Sequence, residues 1–287
     1  MKWQVFLLTL LMAAGTMAQD KKLRVIAIGA HPDDCDLKFG GTAIKLAAAG
    51  HAVKFLSVTN GDAGHHEMAG GTLARRRYLE TQEAARRFGI AEYQVLDNHD
   101  AELEPVLAVR KQIIRAIRDW KADVVVAPRP NDYHPDHRYT GVLVQDAAFL
   151  VVVPNVVADS PALRDNPVFL YYQDGFQKPA PFRPDVVVAI DDVWERKVNA
   201  LDAHVSQFYE WLPWLDHRLD QVPREADARR KWLGGMRAQS LSEAAREAAA
   251  RRYGAERART IRHAESFELC EYGRRPGAEE LSSLFPR

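Results

Sequence analysis

The sequence predicts an α/β fold, a mostly parallel sheet with helices on both faces, and three observations carry the prediction. Short β-rich apolar runs alternate with helical runs from residue 23 onward. The first run, residues 23–30, is almost wholly apolar, as a strand covered on both faces of a parallel sheet must be. Glycine and polar turn residues mark the changes of period. Element by element, a polar turn follows residue 30, and Gly40-Gly41-Thr42 opens a helical run over 43–49 that Gly50 stops. A second strand spans 52–59 and is closed by Asn60-Gly61; a loop and an Arg- and Glu-rich helix fill 70–89, ending at Gly89. A third strand is expected over 93–96, a helix over 106–120 and a fourth strand over 123–127. Beyond a Pro-rich, irregular stretch at 154–184, which holds a strand at 168–172, another strand covers 186–190. Asp191-Asp192 are placed to cap a helix running toward Glu210, and residues 225–262 have helical composition.

Such alternation implies right-handed βαβ units and a Rossmann-like core over about 23–153, with an irregular and helical C-terminal elaboration over 154–287, all in one domain of 19–287. Ligand sites in such sheets lie beyond the carboxyl ends of the strands. The segments after Ala30, Thr59 and Ala127 are therefore where chemistry is expected.

Composition narrows the function. The 287 residues carry 39 basic and 39 acidic side chains and 47% hydrophobic residues, which excludes a disordered charged tail and removes the electrostatic footprint of a nucleic-acid binder. Residues 1–18 read as a cleaved secretory signal peptide: Lys2 supplies the positive start, an apolar run follows, and Thr16-Met17-Ala18 sets small residues at the cleavage site. The run is shorter than the ~20 residues that span a bilayer, so a secreted or periplasmic protein without stable membrane insertion is expected. Cleavage removes one Lys and leaves 38 basic and 39 acidic groups. Cys35 and Cys270 are the only cysteines, and whether they pair is left open by the sequence.

Two similar clusters end two of the expected strands. Ala30-His31-Pro32-Asp33-Asp34 follows the first, and Asp132-Tyr133-His134-Pro135-Asp136-His137 follows the fourth. Imidazole nitrogens and carboxylate oxygens are the ligands a zinc-like cation selects, and a catalytic centre uses three of them while keeping a place for water. His31, Asp34 and His137 complete that set. Adjacent side chains diverge, so Asp33 is free to face the water; His134 shares a helical face with His137 and can straddle metal and substrate. Two histidines with one carboxylate also match the iron facial triad, so Fe2+ stands beside Zn2+.

These residues resemble the PIG-L/LmbE-like family of zinc-dependent de-N-acetylases acting on N-acetylglucosaminyl conjugates. The match is carried by the motifs at 30–34 and 134–137, supported by Arg77-x-x-Glu80, Ala84-Ala85, Gly89-Ile90 and Ala264-Glu265-Ser266-Phe267. The resemblance implies metal ligation by His31, Asp34 and His137, and Asp33 as general base. It makes His134, protonated and oriented by Asp136, the stabiliser of the tetrahedral intermediate, and sets Arg77 near the sugar. Cys35 stands where the family often has Glu, and Tyr133 precedes His134. The implied reaction is metal-assisted hydrolysis of an N-acetyl amino sugar to acetate and a free amine, Asp33 returning its proton to the amine.

Weaker signals surround this core. His65-His66 in the Gly-rich loop 60–71 are expected to be solvated rim residues. The aromatic stretch 208–214 suits either a sugar-stacking wall or the packing of a helix end. Between Pro223 and Arg262, 11 basic residues face 5 acidic ones, the pattern of a solvated helix surface. Neither a G-x-G-x-x-G nor a P-loop motif is present. The alternatives to a sugar deacetylase are a metal-dependent hydrolase of a non-sugar amide and a secreted carbohydrate-binding protein without turnover.

Overall fold

The structure, a computed structural model, describes residues 22–237 and 241–287, so the expected leader at 1–18 lies outside the described residues. Strand β1 (Arg24–Gly29) is followed by helix α1 (Asp34–Ala48), β2 (Ala52–Thr59), α2 (Gly70–Phe88), β3 (Glu92–Asn98), α3 (Leu107–Asp119), β4 (Val124–Ala127) and α4 (Pro135–Leu150). Then come β5 (Val168–Tyr172), β6 (Val186–Ala189), α5 (Trp194–Leu201), a π-helical turn (Ser206–Trp211) and α6 (Leu212–Leu215). The chain closes with α7 (Ala226–Arg237), α8 (Glu243–Tyr253), α9 (Ala255–Thr260), β7 (Ala264–Gly273) and α10 (Ala278–Ser283).

Seven strands form one sheet in the order β3-β2-β1-β4-β5-β7-β6. The first five pair in parallel, and β7 runs antiparallel between β5 and β6. Apolar clusters cover both faces: Phe39, Phe55, Phe88 and Phe267 on one, Ile113, Ile117, Leu143 and Phe169 on the other. The mostly parallel α/β sheet expected from the alternation is thus present, and it continues past residue 154, because β5, β6 and β7 supply three of its strands.

Four local expectations need correction. Helix α1 begins at Asp34, not after Gly41. Its two glycines serve packing: a Cβ on Gly40 would lie 2.6 Å from the Phe88 ring, and one on Gly41 2.8 Å from the Ile190 side chain. Asp191 and Asp192 do not cap the next helix. Asp191 accepts from the amides of Arg262 and His263, and Asp192 pairs with Lys45. The expected run toward Glu210 is broken after Leu201 and resumes as the π-helical turn. Strand β7 had no counterpart in the sequence reading, since its buried Glu265 and Ser266 hide the apolar pattern. Cys35 and Cys270 are both buried and free. No helix among the described residues is long and apolar enough to cross a membrane.

Candidate active site

Adjacent parallel pairing of β1 with β4 sets the two His-Pro-Asp segments side by side at the carboxyl edge of the sheet. The β1 segment turns sharply, with the amides of Asp33 and Asp34 both donating to the His31 carbonyl. Gly29 permits this turn, since a Cβ there would sit 2.6 Å from the Asp34 Cβ. The β4 segment enters α4 with His134 as N-cap, its Nδ1 accepting the Asp136 amide, and Pro135 in the first turn.

His31, Asp34 and His137 meet as a triangle in which each histidine faces a different Asp34 oxygen. His31 Nδ1 lies 3.1 Å from His137 Nε2, and the two Asp34 oxygens lie 3.6 Å from the first and 3.5 Å from the second. Ligand atoms bound to zinc at ~2.0–2.1 Å in a tetrahedral shell stand ~3.3 Å apart, so this spacing suits a divalent cation. The remaining atoms of each group are held from behind. His31 Nε2 faces Asp100 Oδ1 at 3.1 Å and Asp136 Oδ2 at 3.2 Å, while His137 Nδ1 faces Asp132 Oδ1 at 3.0 Å. Asp34 Oδ2 accepts the amides of Ala30 and His31, both at 2.8 Å. With the far nitrogens donating to carboxylates, the near nitrogens turn lone pairs into one small space, which a cation between them relieves. Two other sets gather three ligand atoms, His31 with His134 and His137, and His31 with Asp100 and Asp136. Asp136, however, is 0% exposed and its carboxylate is occupied by the amides of Ala101 and Leu103, leaving no open position for water.

The electrostatics agree with a centre built to hold positive charge. Burial pulls His31 down, but hydrogen bonds that the ring donates to the carboxylates of Asp100, Asp136 and Asp34 outweigh it and hold the ring well above its usual value. His137 is likewise raised against its burial, by Asp34 and Asp132. Asp34 lies far below the carboxylate range, because the fields of His137 and His31 overcome its desolvation. Asp100 is lowered to about 2, against its own burial, by His31 and Arg77. Asp33 moves the other way: burial raises it, only partly offset by Arg77.

The placement of two expected residues is more specific than the motifs implied. Arg77 is 2% exposed, and its guanidinium contacts Asp33 at 3.4 Å, Asp100 at 3.5 Å and the Gly61 carbonyl. Asp136 does not orient His134 through its carboxylate, which points into the sheet edge onto His31; only its backbone amide holds His134. A ring whose Nδ1 accepts an amide is the neutral tautomer with its proton on Nε2, and His134 is lowered by burial and by His31 and His137. With Nδ1 engaged by that amide, Nε2 is the ring nitrogen of His134 left to face the site. Tyr133, 75% exposed, sets its ring edge-on to both His134 and His137 at the mouth.

Sequence reasoning missed Asp100 and Asp132, the carboxylates behind the two histidines. The positional rule could have found Asp100, since it follows β3 at the same sheet edge. A buried pair, Asp36 with His204 at 2.8 Å and Tyr93 on the other Asp36 oxygen, underlies the start of α1. His65 and His66 are not solvated: His65 binds Glu210, and the two rings continue a stack through Trp214 to Trp211.

The fold and this centre define an α/β protein with a histidine-carboxylate site at the carboxyl edge of its sheet. Residues 26–148 match the PIG-L family, described as GlcNAc-PI de-N-acetylase. The chain is 34% identical over 207 residues to diacetylchitobiose deacetylase from Thermococcus kodakarensis, covering 67% of this chain and 74% of that protein. It is 30% identical over 219 residues to a probable N-acetyl-alpha-D-glucosaminyl L-malate deacetylase 2 from Bacillus cereus, covering 73% and 93%. The structure of N,N'-diacetylchitobiose deacetylase from Pyrococcus horikoshii superposes with a TM-score of 0.64 at 28% identity, over 86% of this chain and 83% of that one. The chain belongs to the PIG-L de-N-acetylase family.

Proposed function

We propose that the protein is a metal-dependent hydrolase that removes the N-acetyl group from an N-acetylglucosamine-type sugar or conjugate. The observation that carries the reading is the triangle of His31, Asp34 and His137 with Asp33 and His134 beside it. Similarity to two deacetylases of N-acetylglucosaminyl compounds supports the substrate class. A divalent cation held by that triangle, Zn2+ or Fe2+, would lower the pKa of a water toward ~7 and polarise the acyl carbonyl.

The chain's own groups do the rest. Asp33, raised by burial and neutralised on one side by Arg77, accepts the proton of the attacking water. His134 donates from Nε2 to the oxyanion that forms, and its Nδ1 is anchored by the Asp136 amide so that the ring need not reorganise. Asp33 then returns its proton to the amine as the C–N bond breaks, giving acetate and a free amino sugar. Tyr133 projects where the substrate enters. Arg77 acts on Asp33 and Asp100 as a positioning residue.

The reading is tested by acetate release from a panel of N-acetylglucosamine compounds, before and after chelation and metal return. Release that chelation abolishes and metal restores supports it; no release from any member with metal bound overturns it. We also propose export, with cleavage after Ala18, which predicts a mature chain starting at Gln19 by N-terminal mass analysis of protein secreted by its host.

A further inference from the structure

One buried pair takes no part in the hydrolysis: Asp36 and His204, both 0% exposed. The Asp36 carboxylate accepts from His204 Nε2 at 2.8 Å through one oxygen and from the Tyr93 hydroxyl at 2.7 Å through the other, so it is fully engaged. The histidine is not. Its Nδ1 is buried with no hydrogen-bond partner among the described residues, and an orphaned polar atom in a dry interior is destabilising unless something offsets it.

The first turn of α1 shows what lies beside that nitrogen. Asp33 is the N-cap of the helix and Asp36 stands three residues on, so the two share one face, and a ring fastened to Asp36 is brought alongside Asp33. The Asp33 side chain is buried too, and among the described residues its one hydrogen-bond partner is Arg77, on Oδ1 at 3.4 Å. The electrostatics follow the same geometry: after Arg77, His204 is the cation that most lowers Asp33, ahead of His31, and Asp33 in turn raises His204. The ring has little room to swing. Ser206, two residues later, donates to Glu80 from its amide at 2.9 Å and its hydroxyl at 2.5 Å, and Phe208 sets its ring edge-on to His204.

We propose that His204 is a positioning residue for Asp33, its Nδ1 facing the carboxylate and fixing its orientation together with Arg77. The inference rests on the deacetylase reading and adds to it a residue that touches neither metal nor substrate. Held by two fixed cations, the carboxylate keeps one orientation and need not reorganise as it takes the proton of the attacking water.

Two amide side chains separate this role from a purely structural one, because the amide nitrogen of Gln takes the place of Nε2 and that of Asn the place of Nδ1. On the full-length, metal-loaded protein, His204→Gln keeps a donor for Asp36 and leaves Asp33 unattended. Its kcat on an N-acetylglucosamine compound should fall about ten- to a hundredfold with KM and metal content unchanged, the effect of one charge-assisted hydrogen bond. His204→Asn gives up Asp36 and keeps a nitrogen toward Asp33, so it should unfold at lower urea yet retain the larger kcat of the two per folded molecule. A kcat for His204→Gln equal to that of the unaltered protein, or one that falls in step with stability across the two variants, overturns the role. Acetate from none of the N-acetylglucosamine compounds overturns the deacetylase reading instead. In that event nitrogen NMR spectra of the histidine rings decide, the His204 signals being identified by their loss in His204→Gln. Asp33→Asn should move the His204 Nδ1 signal, and an unmoved signal ends the proposal.

Discussion

Arg77 carries a charge for two carboxylates at once, and its removal should show in stability before it shows in binding. Asp33 and Asp100 share its buried guanidinium, so Arg77→Met strands two carboxylates in a low-dielectric site. We expect a loss of about 3–5 kcal/mol in urea unfolding; a raised KM at unchanged stability would instead return Arg77 to the substrate. Asp33→Ala should reduce kcat by about 10²–10⁴ while metal content, read by elemental analysis, stays near that of the unaltered protein. Equal loss of metal and activity would move Asp33 into the ligand set. His204 gives the pH signature. Burial lowers it, but Asp36 raises it above its usual value overall, so the pair contributes stability fully below pH ~6.5 and loses it as pH climbs through the folded-state pKa. The melting-temperature gap between the unaltered protein and His204→Gln should therefore narrow from pH 6 to pH 9, and a widening gap would contradict the pairing.

At the scale of elements, α1 is fixed from three sides. Gly40 lies against Phe88 of α2, Gly41 against Ile190 after β6, and the Glu265 carboxylate of β7 accepts the amides of Gly41 and Thr42 at 2.9 and 2.7 Å. Lys197 of α5 binds that carboxylate and the Leu37 carbonyl. Gly41→Ala should cost about 1–3 kcal/mol by overpacking, and Ile190→Val in the same chain should restore part of it. Additive losses in the double variant would place the strain elsewhere. These contacts also explain what the sequence concealed. A Gly-Gly pair reads as a helix boundary until its neighbours are known, and a strand whose buried positions include Glu and Ser does not alternate like its fellows.

For the whole molecule, the legible part was what parallel topology alone decides. His31, Asp34 and His137 converge because β1 and β4 are neighbours, and alternating elements announce such a sheet. The hidden part was what side-chain direction decides: Asp136 turning to His31 rather than His134, Asp100 arriving from β3, and Arg77 folding inward. A cation bound to this centre should stabilise the native state by about 2.7 kcal/mol at a hundredfold excess over Kd, or roughly 5–10 °C in a chain of this size. Chelation should remove that increment in a thermal scan, and an unchanged midpoint would exclude a bound ion. The clamp on α1 has one more consequence, which concerns synthesis. Glu265 lies 224 and 223 residues downstream of the two amides it serves. A nascent chain emerging from its amino end therefore exposes the helix that carries Asp34 long before the carboxylate that completes it exists. Completion of the cradle around that helix is tied to the end of translation, and chains truncated before β7 should bind added Zn2+ more weakly than the full chain.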